Sequence, residues 1–404
     1  MTFSRDLSHV PDDFRVGGFR FAATAAGIRR DGRIDVGLIV APEGTSAAGV
    51  FTTNLVRAAP VTIAEQRLAL GRARALLVNS GCANACTGPA GHEATARSTR
   101  ALAAALGVSE AEILPASTGV IGAVLPAERI EQCATQLAGQ ADERGFGDFA
   151  RAILTTDRWP KVAWRRVPTG SGSTNLLVIA KGAGMIHPEL GPPQATMLAF
   201  AVTDAVLPAV ALKPMLARAV DDTFNACSVD GDTSTNDAVI ILASGQSGHR
   251  PEPAEFERAL QGAFAELAAS MVADGEGAEH LATIRVSGLE TRDQARQIAK
   301  TVATSLLVKT ALYGKDINWG RLLAAAGRAG VPFDPQRASV RVGGVEIVRD
   351  GGPVGAGAEA RANDVLAQPE YAIELCLGDG PGAFAYRTSD LGHGYVDVNA
   401  GYRS

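Results

Sequence analysis

Residues 181–200, KGAGMIHPELGPPQATMLAF, pass from a Gly/Pro-rich loop into an apolar run, with the small dipeptide Ala195-Thr196 at the join. A threonine hydroxyl is a weak nucleophile unless a base lies beside it. One arrangement supplies that base without histidine: a Thr whose own α-amine takes the proton, which requires the preceding peptide bond to be cut. Ala195 suits such a cut, because its small side chain leaves its carbonyl accessible. The plainer alternative makes Thr196 the first residue of a buried strand. The residues around it leave both readings open.

Other polar, mostly glycine-containing stretches recur where strands are expected to end. They are NSGCANACTG (79–88), STGVIG (117–122), TTD (155–157), KGAGM (181–185), VDGDTSTND (229–237), DGEGA (274–278) and KDINWGR (315–321). Any one of them is explained by turn geometry alone. Together, in a chain poor in His, they point to a site built from hydroxyls and backbone amides. Such a site suits acyl transfer, where a developing oxyanion needs N–H and O–H donors.

The elements that must position these loops read as mixed α/β. VGGFRFAATAAGI, GRIDVGLIVA and AAGVFTTN are short strands joined by tight turns, and ARALLVNSG and AEILPASTGVIG are strands running into polar turns. GHEATARSTRALAAALGV and LPAERIEQCATQLAGQA have apolar positions at helical spacing, the first ending in a Gly cap. FARAILTTDRWPK begins as a helix and breaks before Pro160. STNLLVIAKGAGM, ATMLAFAVTDAVL and NDAVIILASG are apolar enough to be central strands. LKPMLARAVDDTFNAC is a helix, and the segment from Pro253 to Gly288 is a long helix followed by a strand. TRDQARQIAKTVATSLLVKTALYG is one helix running toward a loop. The C-terminal part alternates again, ending in GYVDVNAGYRS as a last strand, with RDGGPVGAGAEARAND as a Gly-rich surface loop. A sheet-on-sheet core flanked by helices fits this order better than a doubly wound sheet.

Composition excludes several classes of function. The 404 residues, 46 % hydrophobic and 20 % charged, can bury a sizeable core, and a net charge of −5 gives no basic footprint for nucleic acid. No apolar run has the length of a membrane span. The N-terminal stretch has no apolar signal-like region, so a cytoplasmic location is expected. The five cysteines (Cys82, Cys86, Cys133, Cys227, Cys376) are scattered and odd in number, which fits small buried residues in a reducing compartment. The six histidines form no ligand motif, so no metal is expected.

Taken together, AAGVFTTN, NSGCANACTG, STGVIG, ILTTDRWPK, KGAGMIHP, ATMLAF, TDA, DGDTSTND, DGEG, LVKTALYGKDINWGR and YVDVNAGYRS are highly specific in order and spacing. The chain resembles, over nearly its whole length, the ornithine acetyltransferase family, the bifunctional glutamate N-acetyltransferases of arginine biosynthesis. The resemblance implies a mixed-sheet, layered αββα-type core of the N-terminal-nucleophile kind with a smaller C-terminal α/β part. It implies self-cleavage between Ala195 and Thr196 into an α chain, 1–195, and a β chain, 196–404, with a C-terminal subdomain from roughly residue 285. The two chains would stay associated as an α2β2 assembly.

Carried over by motif, Thr196 is the nucleophile and Thr118 and Gly119 form the oxyanion pair. Thr155, Lys181, Thr196, Glu276, Asn399 and Ser404 take the substrate-binding positions. The implied reaction moves the acetyl group of N-acetylornithine to glutamate without metal or cofactor, with acetyl-CoA as an optional second donor. Two alternatives accompany it: an acyltransferase or amidohydrolase of the same fold acting on another amine in a specialised pathway, and an uncut, catalytically silent binder of an amino acid.

Overall fold

A computed structural model describes residues 7–187, 190 and 197–401 of the chain. Ala195, Thr196 and Ser404 lie outside the described residues. The described residues form two compact units, the larger from those between 7 and 225 and between 232 and 271, the smaller from residues 226–231 and 272–401.

The larger unit holds two sheets. In the first, the strands run in the order β1 (Arg20–Thr24), β2 (Val36–Val40), β4 (Ala75–Asn79) and β5 (Ile113–Ser117). In the second the order is β3 (Ser46–Phe51), β10 (Ala238–Ala243), β8 (Leu198–Thr203), β7 (Gly172–Lys181) and β6 (Lys161–Thr169). Side chains alternate faces along a strand, and here both faces are apolar. Ile39, Leu76, Val78, Leu114 and Ala116 of the first sheet pack against Leu177, Ile179, Leu198, Phe200 and Ile240 of the second. The intervening residues Val36, Leu38, Leu77 and Ile113 pack outward on Leu102 of α2 (Gly88–Leu106) and on Ile130 and Leu137 of α3 (Ala127–Gly139).

Outward residues of the second sheet, such as Val178, Ala199, Val239 and Ile241, are equally buried. Helix α5 (Ala209–Asp221) packs on β3. Helix α6 (Pro253–Ala273) is tied to β6 by Arg165–Glu266, at 2.8 Å. Helix, sheet, sheet, helix is the expected αββα-type layering. Two short helices complete the unit, α1 (Ala59–Leu68) beside β5 and α4 (Phe146–Ala152). Phe149 of α4 reaches into the sandwich, its ring centroid 6.3 Å from that of Phe21 and 5.8 Å from that of Phe200. Gly37 on β2 makes room for it, since a Cβ there would come within 2.8 Å of the Phe149 ring.

The smaller unit is a seven-stranded mixed sheet in the order β14 (Gly352–Pro353), β13 (Val345–Arg349), β12 (Ser339–Val342), β15 (Glu370–Cys376), β11 (Leu281–Gly288), β16 (Gly380–Ser389), β9 (Cys227–Ser228). Its core joins Ile284, Val286, Ile373 and Tyr386 of the sheet to helices α7 (Arg292–Ala303), α8 (Leu306–Tyr313), α9 (Trp319–Gly327) and α10 (Ala356–Leu366). The last helix is α11 (His393–Gly401).

Several expectations are corrected. The C-terminal segment is helix α11, not a strand. Its Tyr-Val-Asp-Val alternation has no buried face to reward it, Val396 and Val398 being exposed, so context overrides strand propensity. The Gly-rich stretch after Asp350 is largely helix α10, held by Ala358, Ala362 and Leu366 at four-residue spacing. The segment from Arg292 to Tyr313 is two helices broken at Thr304 and Ser305. Strand β6 and helix α1 are elements that the pattern of the sequence does not predict. The TTD, DGEGA and KDINWGR stretches follow α4, α6 and α8 rather than strands. Cys86 and Cys376 are exposed, whereas Cys82 and Cys227 are buried. No helix of the described residues is long and apolar enough to cross a membrane.

Candidate active site

Strand parity builds the site. Leu177 and Ile179 of β7 face the space between the sheets, so Lys181, two residues on, points to the same side. Leu114 and Ala116 of β5 face that space from the other sheet, and Thr118 follows them by the same alternation. The two side chains meet at the sheet ends, where Lys181 Nζ donates to Thr118 Oγ1 at 3.3 Å. Thr155 comes from the turn after α4, and its Oγ1 accepts from Lys181 Nζ at 2.9 Å. Thr118, Thr155 and Lys181 are thereby brought together in the larger unit, although far apart in sequence.

Beneath them lies a group that sequence reasoning missed. Asp157 is buried, and its Oδ1 accepts from Lys161 Nζ at 2.8 Å and from the Gly182 N–H at 2.7 Å. Its Oδ2 accepts from the Thr155 N–H at 3.1 Å and stands 3.8 Å from Lys181 Nζ. Burial opposes ionisation of this carboxyl, yet the charges of Lys161 and Lys181 and the hydrogen bonds outweigh it and hold Asp157 well below the usual carboxylate range. The buried Asp157 carboxylate thus lies between two ammonium groups, those of Lys161 and Lys181. The sequence signal for Asp157 was its place in TTDRWPK, four residues before Lys161; turn chemistry accounted for it without a site.

Gly119 follows Thr118 with φ +129°, and a Cβ there would come 2.4 Å from the Gly81 carbonyl carbon. Only glycine allows this close approach of two backbones. The Gly81–Ala83 turn is laced to it, Ala83 N–H donating to Val120 O at 3.0 Å. Among the described residues no acceptor meets the Gly119 N–H. The Thr118 hydroxyl and Gly119 amide are therefore two adjacent donors. Asn79 braces the turn from below, donating to Cys82 O at 2.8 Å and accepting from Ser117 Oγ at 2.6 Å. Asn236, from the DTSTND turn, donates to Ala83 O at 2.6 Å and Ser117 O at 2.9 Å. Cys82 is buried and donates to Ala123 O at 3.3 Å, and burial pushes its thiol up.

Glu276 and Asn399 meet in the smaller unit. Asn399 Nδ2, on α11, donates to Glu276 Oε2 at 2.8 Å and to Tyr395 O at 3.0 Å. Asp390 and His280 clamp the same region: Asp390 Oδ1 accepts from the Glu279 and His280 N–H groups at 3.0 and 3.2 Å, and Oδ2 lies 2.9 Å from His280 Nδ1. Glu279, His280 and Asp390 are close enough for a shared cation, but these hydrogen bonds already occupy Asp390. Ala195, Thr196 and Ser404, the remaining candidates, fall outside the described residues.

The model of the ArgJ family matches residues 20–404. The chain belongs to the ArgJ family. Two relatives named arginine biosynthesis bifunctional protein ArgJ are highly similar. The one from Syntrophotalea carbinolica is 44 % identical, over 96 % of this chain and 100 % of its own length. The one from Desulfotalea psychrophila is 45 % identical, over 96 % of this chain and 99 % of its own. A crystal structure of the ArgJ protein of Bacillus halodurans has 37 % identity and a TM-score of 0.49, covering 51 % of this chain and 100 % of that one. ArgJ membership agrees with the resemblance read from the motifs, and these relatives do not favour the specialised-pathway alternative.

Proposed function

We propose that this ArgJ-family chain is an acetyltransferase of arginine biosynthesis that transfers the acetyl group of N-acetylornithine to glutamate. The observation that carries the reading is the family match across residues 20–404. The paired donors at Thr118 and Gly119, beside the Lys181 ammonium, support it chemically.

In this reading the Thr196 hydroxyl first attacks the Ala195 carbonyl. The acyl group shifts from nitrogen to oxygen, water hydrolyses the ester, and a free α-amine remains on Thr196. An unperturbed α-amine has a pKa of about 7.7–8.0, which suits a general base near neutrality. That amine then takes the proton of Thr196 Oγ as Oγ attacks the acetyl carbonyl of N-acetylornithine. Thr118 and Gly119 hold the oxyanion, each such donor being worth ~100–1000-fold in rate. Ornithine leaves, and glutamate accepts the acetyl group from the Thr196 ester. The covalent acetyl-Thr196 ester gives ping-pong kinetics, and because an amide is exchanged for an amide the net free-energy change is small. Thr155, Lys181, Glu276, Asn399 and Ser404 take the family's substrate-binding positions, Lys181 pairing a carboxylate and Glu276 an ammonium group. Residues 1–195 and 196–404 form the α and β chains of an α2β2 cytoplasmic enzyme, with acetyl-CoA as an optional second donor.

The deciding experiment measures acetyl transfer from N-acetylornithine to glutamate, with acetyl-CoA assayed separately as donor and the chain mass read under denaturing conditions. Transfer with two fragments upholds the reading. One band near 41.7 kDa without transfer sinks it in favour of a silent, uncut binder.

A further inference from the structure

The cluster below Lys181 suggests more than recognition of a substrate carboxylate. An ammonium group only donates hydrogen bonds, whereas a hydroxyl both donates and accepts. Because Lys181 Nζ donates to Thr118 Oγ1 at 3.3 Å, the Thr118 proton must point away from Lys181. The same contact makes the hydroxyl a stronger donor, since a cation on its lone pair polarises the O–H bond. Lys181 can do this only while charged and held still. Its four-carbon stem is flexible, so its position depends on the groups around it.

Asp157 answers both needs. It is buried beneath the lysine, stands 3.8 Å from Nζ, and accepts from the N–H of Gly182, the residue next to Lys181 in the chain, at 2.7 Å. It also fixes the backbone of Thr155, whose hydroxyl takes a second hydrogen from Nζ. Lys161 at 2.8 Å keeps Asp157 ionised and in place from the far side. Trp159, whose ring lies 5.6 Å from Lys161 Nζ, closes the cluster from one side and donates to Ser270 Oγ at 3.1 Å. Asp157, Trp159, Lys161, Lys181, Thr118, Thr155 and Ser270 all belong to the larger unit.

We infer that Asp157 is a positioning residue that, supported by Lys161, holds Lys181 so that the Thr118 hydroxyl is aimed as an oxyanion donor. This inference rests on the acetyltransferase reading above. It makes a distinction that a substrate-binding role for Lys181 does not. Orientation of Thr118 serves any acyl step at the site, so self-cutting and acetyl transfer are both slowed when the cluster is broken. A lysine that only pairs a substrate carboxylate affects KM for transfer and leaves self-cutting intact.

The test is a double-mutant cycle on the full chain, with Asp157→Asn, Thr118→Ala and the pair, reading the rate of self-cutting, kcat and KM. If one oxyanion donor is worth ~100–1000-fold, misaiming it forfeits about tenfold or more in kcat and in cutting rate, with KM changed less. In the Thr118→Ala background Asp157→Asn has little further effect. Should Asp157→Asn lower the melting temperature enough to unfold the chain, the same cycle is run with Lys181→Met. Equal losses in both backgrounds, or a KM change with normal self-cutting, overturn the inference. A wild-type chain that does not transfer acetyl from N-acetylornithine to glutamate overturns the functional reading and this inference with it; when it does, the cycle decides the inference alone.

Discussion

Asn399 on the C-terminal helix hands one hydrogen of its amide to Glu276 at 2.8 Å, closing a contact across 123 residues of sequence. Gly277 makes the approach possible, because its backbone packs directly on that of Gly394 and Tyr395. The carboxylate of Glu276 is thus oriented by a neutral donor.

Replacing Glu276 by Gln therefore separates two activities. In the proposed mechanism self-cutting involves Ala195, Thr196, the oxyanion donors and the groups that aim them, not Glu276, so Glu276→Gln is expected to yield two chains. Transfer needs the charge. Losing one partner of a desolvated pair costs ~2–5 kcal/mol, and the half-exposed position of Glu276 puts it at the low end, about thirtyfold in kcat/KM for N-acetylornithine. Both readouts come from one preparation. An uncut Glu276→Gln chain, or a cut one with wild-type kcat/KM, removes Glu276 from the site.

In the proposed mechanism processing depends on Thr196. Thr196→Ala is expected to remain one band near 41.7 kDa without transfer activity. Thr196→Ser retains the hydroxyl and is expected to cut, more slowly. Sequencing the N-terminus of the mature C-terminal fragment checks the position directly, and any first residue other than Thr196 refutes the assignment.

Much of this architecture was legible because burial leaves a pattern. Strands β7, β8 and β10 are apolar on both faces, and α2 carries both its periodicity and a glycine cap at Gly107. Where burial is absent the pattern misleads: α11 has β-type residues but no buried face. In the site, Thr118, Thr155 and Lys181 stood in recognisable motifs. Asp157 did not stand out, because its significance lies in contacts with Lys161, Lys181 and Gly182, and only folding shows that one carboxylate serves all three. Its turn residues would look the same in any solvated loop.

Lys309 gives stability a pH dependence. It is buried in the smaller unit, donating to Thr388 Oγ1 at 2.9 Å and to the Ser389 carbonyl. Burial pushes its ammonium down to about 7, against the opposing pull of Asp390 and Asp230. An unfolded lysine titrates near 10.4, so between about pH 7 and 10 the unfolded chain binds the extra proton and stability rises with pH. Below pH 7 both states are protonated and this gain is absent. Lys309→Met lacks the titration. The wild-type minus variant difference in urea midpoint is expected to grow from pH 7 to pH 9.5, and parallel pH profiles would contradict it.

A covalent intermediate is expected on Thr196 rather than on a cysteine. Cys82 is the thiol to exclude, since its turn abuts Gly119 and a thiolate is a far better nucleophile than a hydroxyl. The environment argues against it: burial raises its pKa, and its Sγ already donates to Ala123 O at 3.3 Å, so the reactive thiolate is suppressed. Incubating the processed enzyme with N-acetylornithine, without glutamate, should add one acetyl mass to the fragment that begins at Thr196. Fragment mass spectrometry locates it, because Cys82 lies in the other fragment. Alkali should hydrolyse the Thr196 ester and remove the added mass as acetate, and Cys82→Ala should retain at least about half of the transfer rate, as a small-to-smaller change at a buried non-catalytic position affects stability before chemistry. Acetyl recovered on Cys82, or abolition of transfer in a folded Cys82→Ala chain, would reassign the nucleophile.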